Sequence, residues 1–219
     1  MTSKISIPRR AVLAAALIAT SLLGACALLI GGAAVGGAMV ATDRRTTGTQ
    51  VEDQAIETKG DNQVSALLGD RAHVNITSYN LMVLLTGEVP TEADKATVEK
   101  SVSQIEHVRS IVNDLAVMPK SSLSTRSNDS ILTGRVKAEF IGANGLSANA
   151  IKVVTERSVV YLMGRVTETE AKLAVELSRG VSGVQKVVRV FEIISAAEVA
   201  ALQPSPPASA PASAPAAKP

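Results

Sequence analysis

The sequence predicts an α+β protein in which one small module, ordered helix, strand, strand, helix, strand, occurs twice. Leu84-Leu85-Thr86-Gly87-Glu88-Val89, followed by Pro90-Thr91-Glu92-Ala93, returns as Tyr161-Leu162-Met163-Gly164-Arg165-Val166, followed by Thr167-Glu168-Thr169-Glu170-Ala171; the two glycines are 77 residues apart. Around each glycine, apolar residues at helical spacing give way to alternation and then to helical spacing again. The 219 residues are 46% hydrophobic but 2% aromatic, with no Trp. The cores must therefore be aliphatic, and each copy is a small unit of marginal stability alone.

Residues 47–118 form the first copy. From Val51 a helical pattern places Ala55, Ile56, Val64, Leu67 and Leu68 near one face, with Gly60 as an interruption. Val74 and Ile76 alternate with polar neighbours as a half-buried strand, Ser78-Tyr79-Asn80 makes a turn, and Leu81 to Thr86 reads as a more buried strand ended by Gly87. Thr91, with Asp94 three residues on, caps a helix through Val98, Val102 and Ile105, and Val108 to Val117 is the third strand.

Residues 119–123 link to the second copy, 124–195. There Asn128 or Asp129 caps a helix carrying Leu132, Val136 and Phe140. Ile151, Val153 and Thr155 lie on a strand, Glu156-Arg157-Ser158 turns into the strand Val159 to Val166, and a helix over Ala171 to Arg179 leads to a last strand, Val184 to Ile194. Each copy is then a three-stranded mixed sheet with two helices on one face. The other sheet face needs water or a partner, which the other copy can supply.

The N-terminus reads as an export signal. Lys4, Arg9 and Arg10 precede the apolar run Ala11 to Leu22, and Leu23-Gly24-Ala25-Cys26 resembles the lipobox of bacterial lipoproteins. Residues 1–25 are then a signal peptide, Cys26 the site of lipid attachment, and 26–46 a Gly/Ala-rich tether. The apolar run continues past Cys26, so an uncleaved transmembrane helix is the alternative. Residues 196–219, rich in Pro, Ala and Ser, read as a disordered spacer.

Several chemistries are disfavoured. One Cys and two His make neither an internal disulfide nor a closed zinc site, so no metal or other cofactor is expected. His73, before a strand, and His107, at a helix-strand junction, read as surface or loop-end residues without the orienting partner a catalytic base needs, so no enzyme is expected. Tyr79 and Tyr161 are isolated and offer no stacking platform for nucleic acid.

The stretches Asn75-Ile76-Thr77-Ser78-Tyr79-Asn80 with Leu85-Thr86-Gly87-Glu88-Val89, and Ile151-Lys152-Val153-Val154-Thr155-Glu156 with Leu162-Met163-Gly164-Arg165-Val166 and Val181-Ser182-Gly183-Val184, look like tandem BON domains. With the lipobox and Asp43-Arg44-Arg45-Thr46-Thr47-Gly48-Thr49-Gln50, the chain to about Ile194 resembles the dual-BON-domain, division- and outer-membrane stress-associated lipid-binding lipoproteins. The resemblance implies a protein lipid-anchored on the periplasmic face of the outer membrane that supports envelope integrity. It also implies binding of anionic phospholipid (cardiolipin or phosphatidylglycerol) through the first helix of the second domain, gathering at division sites, and association with the outer-membrane protein assembly machinery. An aromatic residue opens that helix in the relatives; the matching position here is Ile131.

Charge points to the same domain. Residues 47–118 have 5 Lys and Arg against 11 Asp and Glu, net −6, while 124–194 have 10 against 7, net +3. A basic side chain near an anionic surface gains about 1 kcal/mol, so the second copy is the one attracted. The expected phospholipid contacts are Ile131, Leu132, Arg135 and Lys137. The plainer alternative keeps Ile131 in the core with the charges on an ordinary solvated face. A second functional reading is a protein-interaction scaffold using the sheet faces and the acidic first copy.

Overall fold

The computed structural model describes residues 43–202. The signal, the lipobox with Cys26 and the chain from Gln203 lie outside the described residues. The first module comprises α1 (Thr47–Leu68), β1 (His73–Tyr79), β2 (Met82–Val89), α2 (Glu92–Ser103), β3 (Ser110–Asn113) and β4 (Ala116–Val117). The second comprises α3 (Leu123–Gly142), β5 (Ile151–Glu156), β6 (Val159–Val166), α4 (Glu168–Gly180) and β7 (Lys186–Ile193), followed by α5 (Ala196–Leu202). In both sheets the hairpin is antiparallel and the last strand returns parallel to the middle one. The expected third strand of the first module is broken at Asp114-Leu115, so that β3 and β4 pair with β2 separately.

Local chemistry sets the helix starts. Thr46 accepts a hydrogen bond from the Thr49 N–H and so begins α1 ahead of its hydrophobic stripe. The helix then passes through Gly60 unbroken. A Cβ there would stand 2.7 Å from Ile76 Cδ1, so the glycine lets α1 lie against β1, and that packing offsets a helix penalty of about 1 kcal/mol. Thr91 caps α2 as expected, and Thr167 with Glu170 forms a reciprocal capping box on α4. The cap of α3 is Ser122, not Asn128 or Asp129.

Asp129 instead has a structural role that the first module repeats. The hairpins turn at Asn80-Leu81 and Arg157-Ser158, all four residues at positive φ (52°, 67°, 49°, 61°). Turns of this kind favour glycine or asparagine. Here a buried helix aspartate compensates: Asp53 accepts from the Asn80 and Leu81 N–H groups at 2.8 Å, and Asp129 from the Arg157 and Ser158 N–H groups at 2.9 and 2.8 Å. Tyr79 accordingly ends a strand and is buried in the core, not placed in a turn.

The repeated glycines lie inside β2 and β6, not at their ends. A Cβ at Gly87 would meet the His73 carbonyl oxygen at 2.1 Å, and one at Gly164 the Ala150 oxygen at 2.4 Å. Glycine at these points permits the start of the first strand to cross close to the middle strand.

Each module has its own helix-on-sheet core. A third cluster combines Tyr79 and Leu84 of one sheet with Tyr161, Met163 and Val190 of the other, so the two free sheet faces cover each other. Tyr79 donates to the Ala150 carbonyl at 3.1 Å and Tyr161 to the Asp114 carboxylate at 2.7 Å. Lys152–Glu57, Arg157–Glu88 and Arg109–Glu192 pair across the interface at 2.6, 3.0 and 2.7 Å. Part of the charge difference between the copies therefore serves their mutual docking.

The ends of the two flanking segments also differ from expectation. Arg45 pairs with Asp53 at 2.8 Å and stacks over the Tyr79 ring, 4.2 Å from its centroid, while Arg44 forks onto Glu170 at 2.8 and 2.7 Å. The last residues of the tether thus bind both modules. At the other end, Ala196–Leu202 is helical, with the Ser195 hydroxyl accepting from the Glu198 N–H.

Candidate functional site

On α3, with about 100° of rotation per residue, Asp129, Leu132, Val136 and Phe140 make the inward stripe and all are buried. On the opposite side Ile131, Gly134, Ala138 and Ile141 fall within about 80° of one another, with Arg135 on one flank and Lys137 on the other. Ile131 is 53% exposed and Ile141 78%, and Leu123, on the same side one end further, is 77% exposed. Ile131 is thus not a core residue. Arg135 and Lys137 make no ion pair among the described residues.

Leu132 departs from expectation. It is 6% exposed and packs in the core of the second module, so it supports the face from beneath and presents nothing to a membrane. Leu123 and Ile141 are the residues the sequence reading missed. A helix start at Asn128 excludes Leu123, whereas Ile141 carries a usable signal, about three turns beyond Ile131 on the same side.

The turn-binding aspartates give a register for comparing α3 with α1. Superposing Asp129 on Asp53 sets Ile131, Lys137 and Ile141 against Ala55, Asp61 and Ser65. The first module has the same scaffold without the isoleucine ridge or the Lys137 cation, while Arg135 is matched by Lys59, which pairs with Glu106 at 3.8 Å. A cleft of 340 Å³ opens beside the C-terminal half of α3, lined among others by Lys137, Ile141, Tyr79, Arg45 and Lys152. Arg45 and Lys152 are committed to Asp53 and Glu57, and Lys137 on the same wall has no ion pair among the described residues.

A second cluster lies at the domain interface. His73 and Glu88 are cross-strand partners, and Glu156 approaches from the other module, its Oε2 3.8 Å from His73 Nε2. The ligating atoms of the three residues lie within 4.8 Å of one another. Glu88 is held by Arg157 at 3.0 Å and by the Ser121 N–H at 3.0 Å, and Asn75 donates to Glu156 Oε2 at 2.6 Å. His73 is therefore an interface residue and not the loop-end residue its position suggests.

Burial, and next the Glu88 charge, push the Glu156 carboxyl up to about 7 from 4.5; Asp129 acts in the same direction, while Asn75 and Arg157 oppose. Burial and the Arg126 and Lys120 charges lower His73, against the pull of Glu88. Between 4.5 and 7 folded Glu156 holds its proton while the unfolded chain has lost it, so its contribution to stability falls as pH rises through that range, whereas that of His73, whose pKa is lowered, rises toward 6.5. The Glu156 effect is on the order of 3 kcal/mol. Urea denaturation at pH 4.5 and 7 in metal-free buffer is expected to show a larger loss of stability with rising pH in the natural chain than in Glu156→Gln, the difference between the two isolating the Glu156 contribution from that of His73.

The BON domain model matches residues 52–119 and 128–195. Outer membrane lipoprotein DolP of Haemophilus influenzae is 41% identical over 175 residues, covering 79% of this chain and 90% of that protein. The 21 kDa hemolysin of Actinobacillus pleuropneumoniae is 32% identical over 69% of this chain and 79% of its own length. Osmotically-inducible protein Y of Escherichia coli is 26% identical over 69% of this chain and 77% of its own. None of these is an enzyme by name. The matched stretches coincide with the two modules that pack face to face, and the chain belongs to the dual-BON-domain outer-membrane lipoproteins.

Proposed function

We propose that this outer-membrane protein docks on anionic phospholipid through the outward face of α3 and thereby supports envelope integrity. The observation that carries the reading is the exposed ridge of Ile131 and Ile141, flanked by Arg135 and Lys137, which have no ion pair among the described residues; on α1 the two isoleucines and Lys137 have no counterpart, and Arg135 is matched by Lys59, which pairs with Glu106. An isoleucine buried in the acyl boundary contributes about 1.5–3 kcal/mol, and each cation about 1 kcal/mol at an anionic surface. Such sums give weak, reversible attachment. Combined with a lipid on Cys26 they would make the two-signal anchoring that holds a protein stably at a bilayer. On this reading, enrichment at division sites follows from lipid docking and is lost with it.

A scaffold working through its sheet faces is disfavoured, because those faces are occupied by one another. The test is flotation of the chain from Asp43 onward with vesicles of phosphatidylcholine alone or with phosphatidylglycerol or cardiolipin. Binding is expected only with the anionic lipids and is expected to weaken as salt is raised. Equal recovery with neutral and anionic vesicles would refute lipid docking and move the function to protein contacts.

A further inference from the structure

We propose that His73, Glu88 and Glu156 form a binding site for a divalent transition cation of the zinc class, which fastens the two BON domains together. The site is built, not incidental. His73 and Glu88 come from the first domain and Glu156 from the second, and their ligating atoms lie within 4.8 Å of one another. Glu88 is 0% and Glu156 1% exposed. Glu156 Oε1 is buried with no hydrogen-bond partner, an arrangement that costs stability unless something else meets that oxygen.

The donor set argues for the class of ion. One imidazole and two carboxylates leave a fourth position open, the ligand pattern of open zinc sites, and an imidazole selects against magnesium and calcium, which take oxygen donors. Zinc binds such donors at about 2.0–2.2 Å, so a contraction of about 1 Å would bring the three into range. The surrounding groups orient the carboxylates as outer partners do in metal centres: Arg157 and the Ser121 N–H hold Glu88, and Asn75 holds Glu156 Oε2 while leaving Oε1 available. The His73 side chain is 18% exposed, which leaves the ion a way in.

The pseudo-symmetry of the fold sharpens the point. At the corresponding end of the interface, one repeat away, Tyr79, Ala150 and Arg165 stand where Glu156, His73 and Glu88 stand here, and Tyr79 simply donates to the Ala150 carbonyl. Of the two sets of equivalent positions, only His73, Glu88 and Glu156 bring together a trio of metal-ligating side chains.

The full-length chain, purified in detergent and stripped with EDTA, is titrated with zinc by calorimetry at about pH 7.5. One equivalent per chain is expected to bind with a dissociation constant at or below the micromolar range, and to raise the melting temperature. His73→Asn and Glu156→Gln are each expected to weaken binding at least tenfold and to abolish the thermal shift. If the variants do not fold, X-ray absorption of the zinc-loaded natural chain decides, with mixed nitrogen and oxygen donors supporting the site and oxygen donors alone overturning it. Absence of saturable binding at one equivalent, or binding that both variants retain, overturns it equally.

Discussion

Asp53→Ala is expected to remove about 3–5 kcal/mol of stability, because it strands the Ser78 hydroxyl and two backbone N–H groups, each costing about 1–3 kcal/mol when buried and unsatisfied, and takes one of its two carboxylates from Arg45, which keeps Asp43. The carboxylate is 3% exposed and holds the Arg45 guanidinium, the Ser78 hydroxyl and both N–H groups of the Asn80-Leu81 turn. Leu81 at φ 67° has no glycine's freedom, so the turn depends on those bonds. Since natural domains hold only about 5–15 kcal/mol in total, this single change consumes much of the margin. Asp129→Ala, which strands two backbone donors and no cation, is expected to cost less, about 1–3 kcal/mol. Urea denaturation of the two variants measures the difference. Equal costs would show that Arg45 and Ser78 add nothing to the turn.

The double substitution Ile131→Glu with Ile141→Glu is expected to lower affinity for phosphatidylglycerol vesicles by about 100-fold or more. It removes two apolar insertions of about 1.5–3 kcal/mol each when fully buried and brings two like charges to an anionic surface. The lower apolar sum, about 3 kcal/mol, or half of the upper one, accounts for that factor. Because both side chains are more than half exposed, the melting temperature should hardly move, and this separates loss of docking from loss of fold. Placing glutamates at the matching positions of α1, Ala55 and Ser65, is expected to leave vesicle binding unchanged.

The module order and the identity of most strands were legible in the sequence because period-two and helical stripes are local signals. The repeat itself was legible because the glycine-centred stretch is short and unshared with ordinary strands. What escaped depends on contacts distant in sequence. Gly60 argues against a helix until Ile76 is placed beside it. Asp129 reads as a cap because a polar residue ahead of a hydrophobic stripe usually is one; only the hairpin, some thirty positions on, shows it to be the receptor for a turn. Tyr79 beside Asn80 looks like turn chemistry, whereas its ring fills the interface between the sheets.

The candidate lipid face was legible in part for the same reason. Arg135, Lys137 and Ile131 fall on the outside of any helix whose inner stripe is Leu132, Val136 and Phe140. Leu132 itself belongs to that inner stripe and is in the core, while Leu123 and Ile141 required the true helix ends. The interdomain cluster was not legible at all, since His73, Glu88 and Glu156 meet only when the hairpin pairs and the two sheets dock.

Docking as proposed requires that α3, and not α1, enter the bilayer surface. The chain from Asp43 onward contains no Cys, so a single nitroxide can be attached at position 131 or 141, or at position 67, where Leu67 is an exposed apolar residue of α1. Electron paramagnetic resonance then reads the depth of each label on phosphatidylglycerol vesicles from its relative accessibility to dissolved oxygen and to a water-soluble nickel reagent. Labels at 131 and 141 are expected to become shielded from nickel and accessible to oxygen, with the label at 67 remaining in water. Labels at 131 and 141 that stay aqueous on bound vesicles, or entry of the label at 67 in their place, would contradict the account.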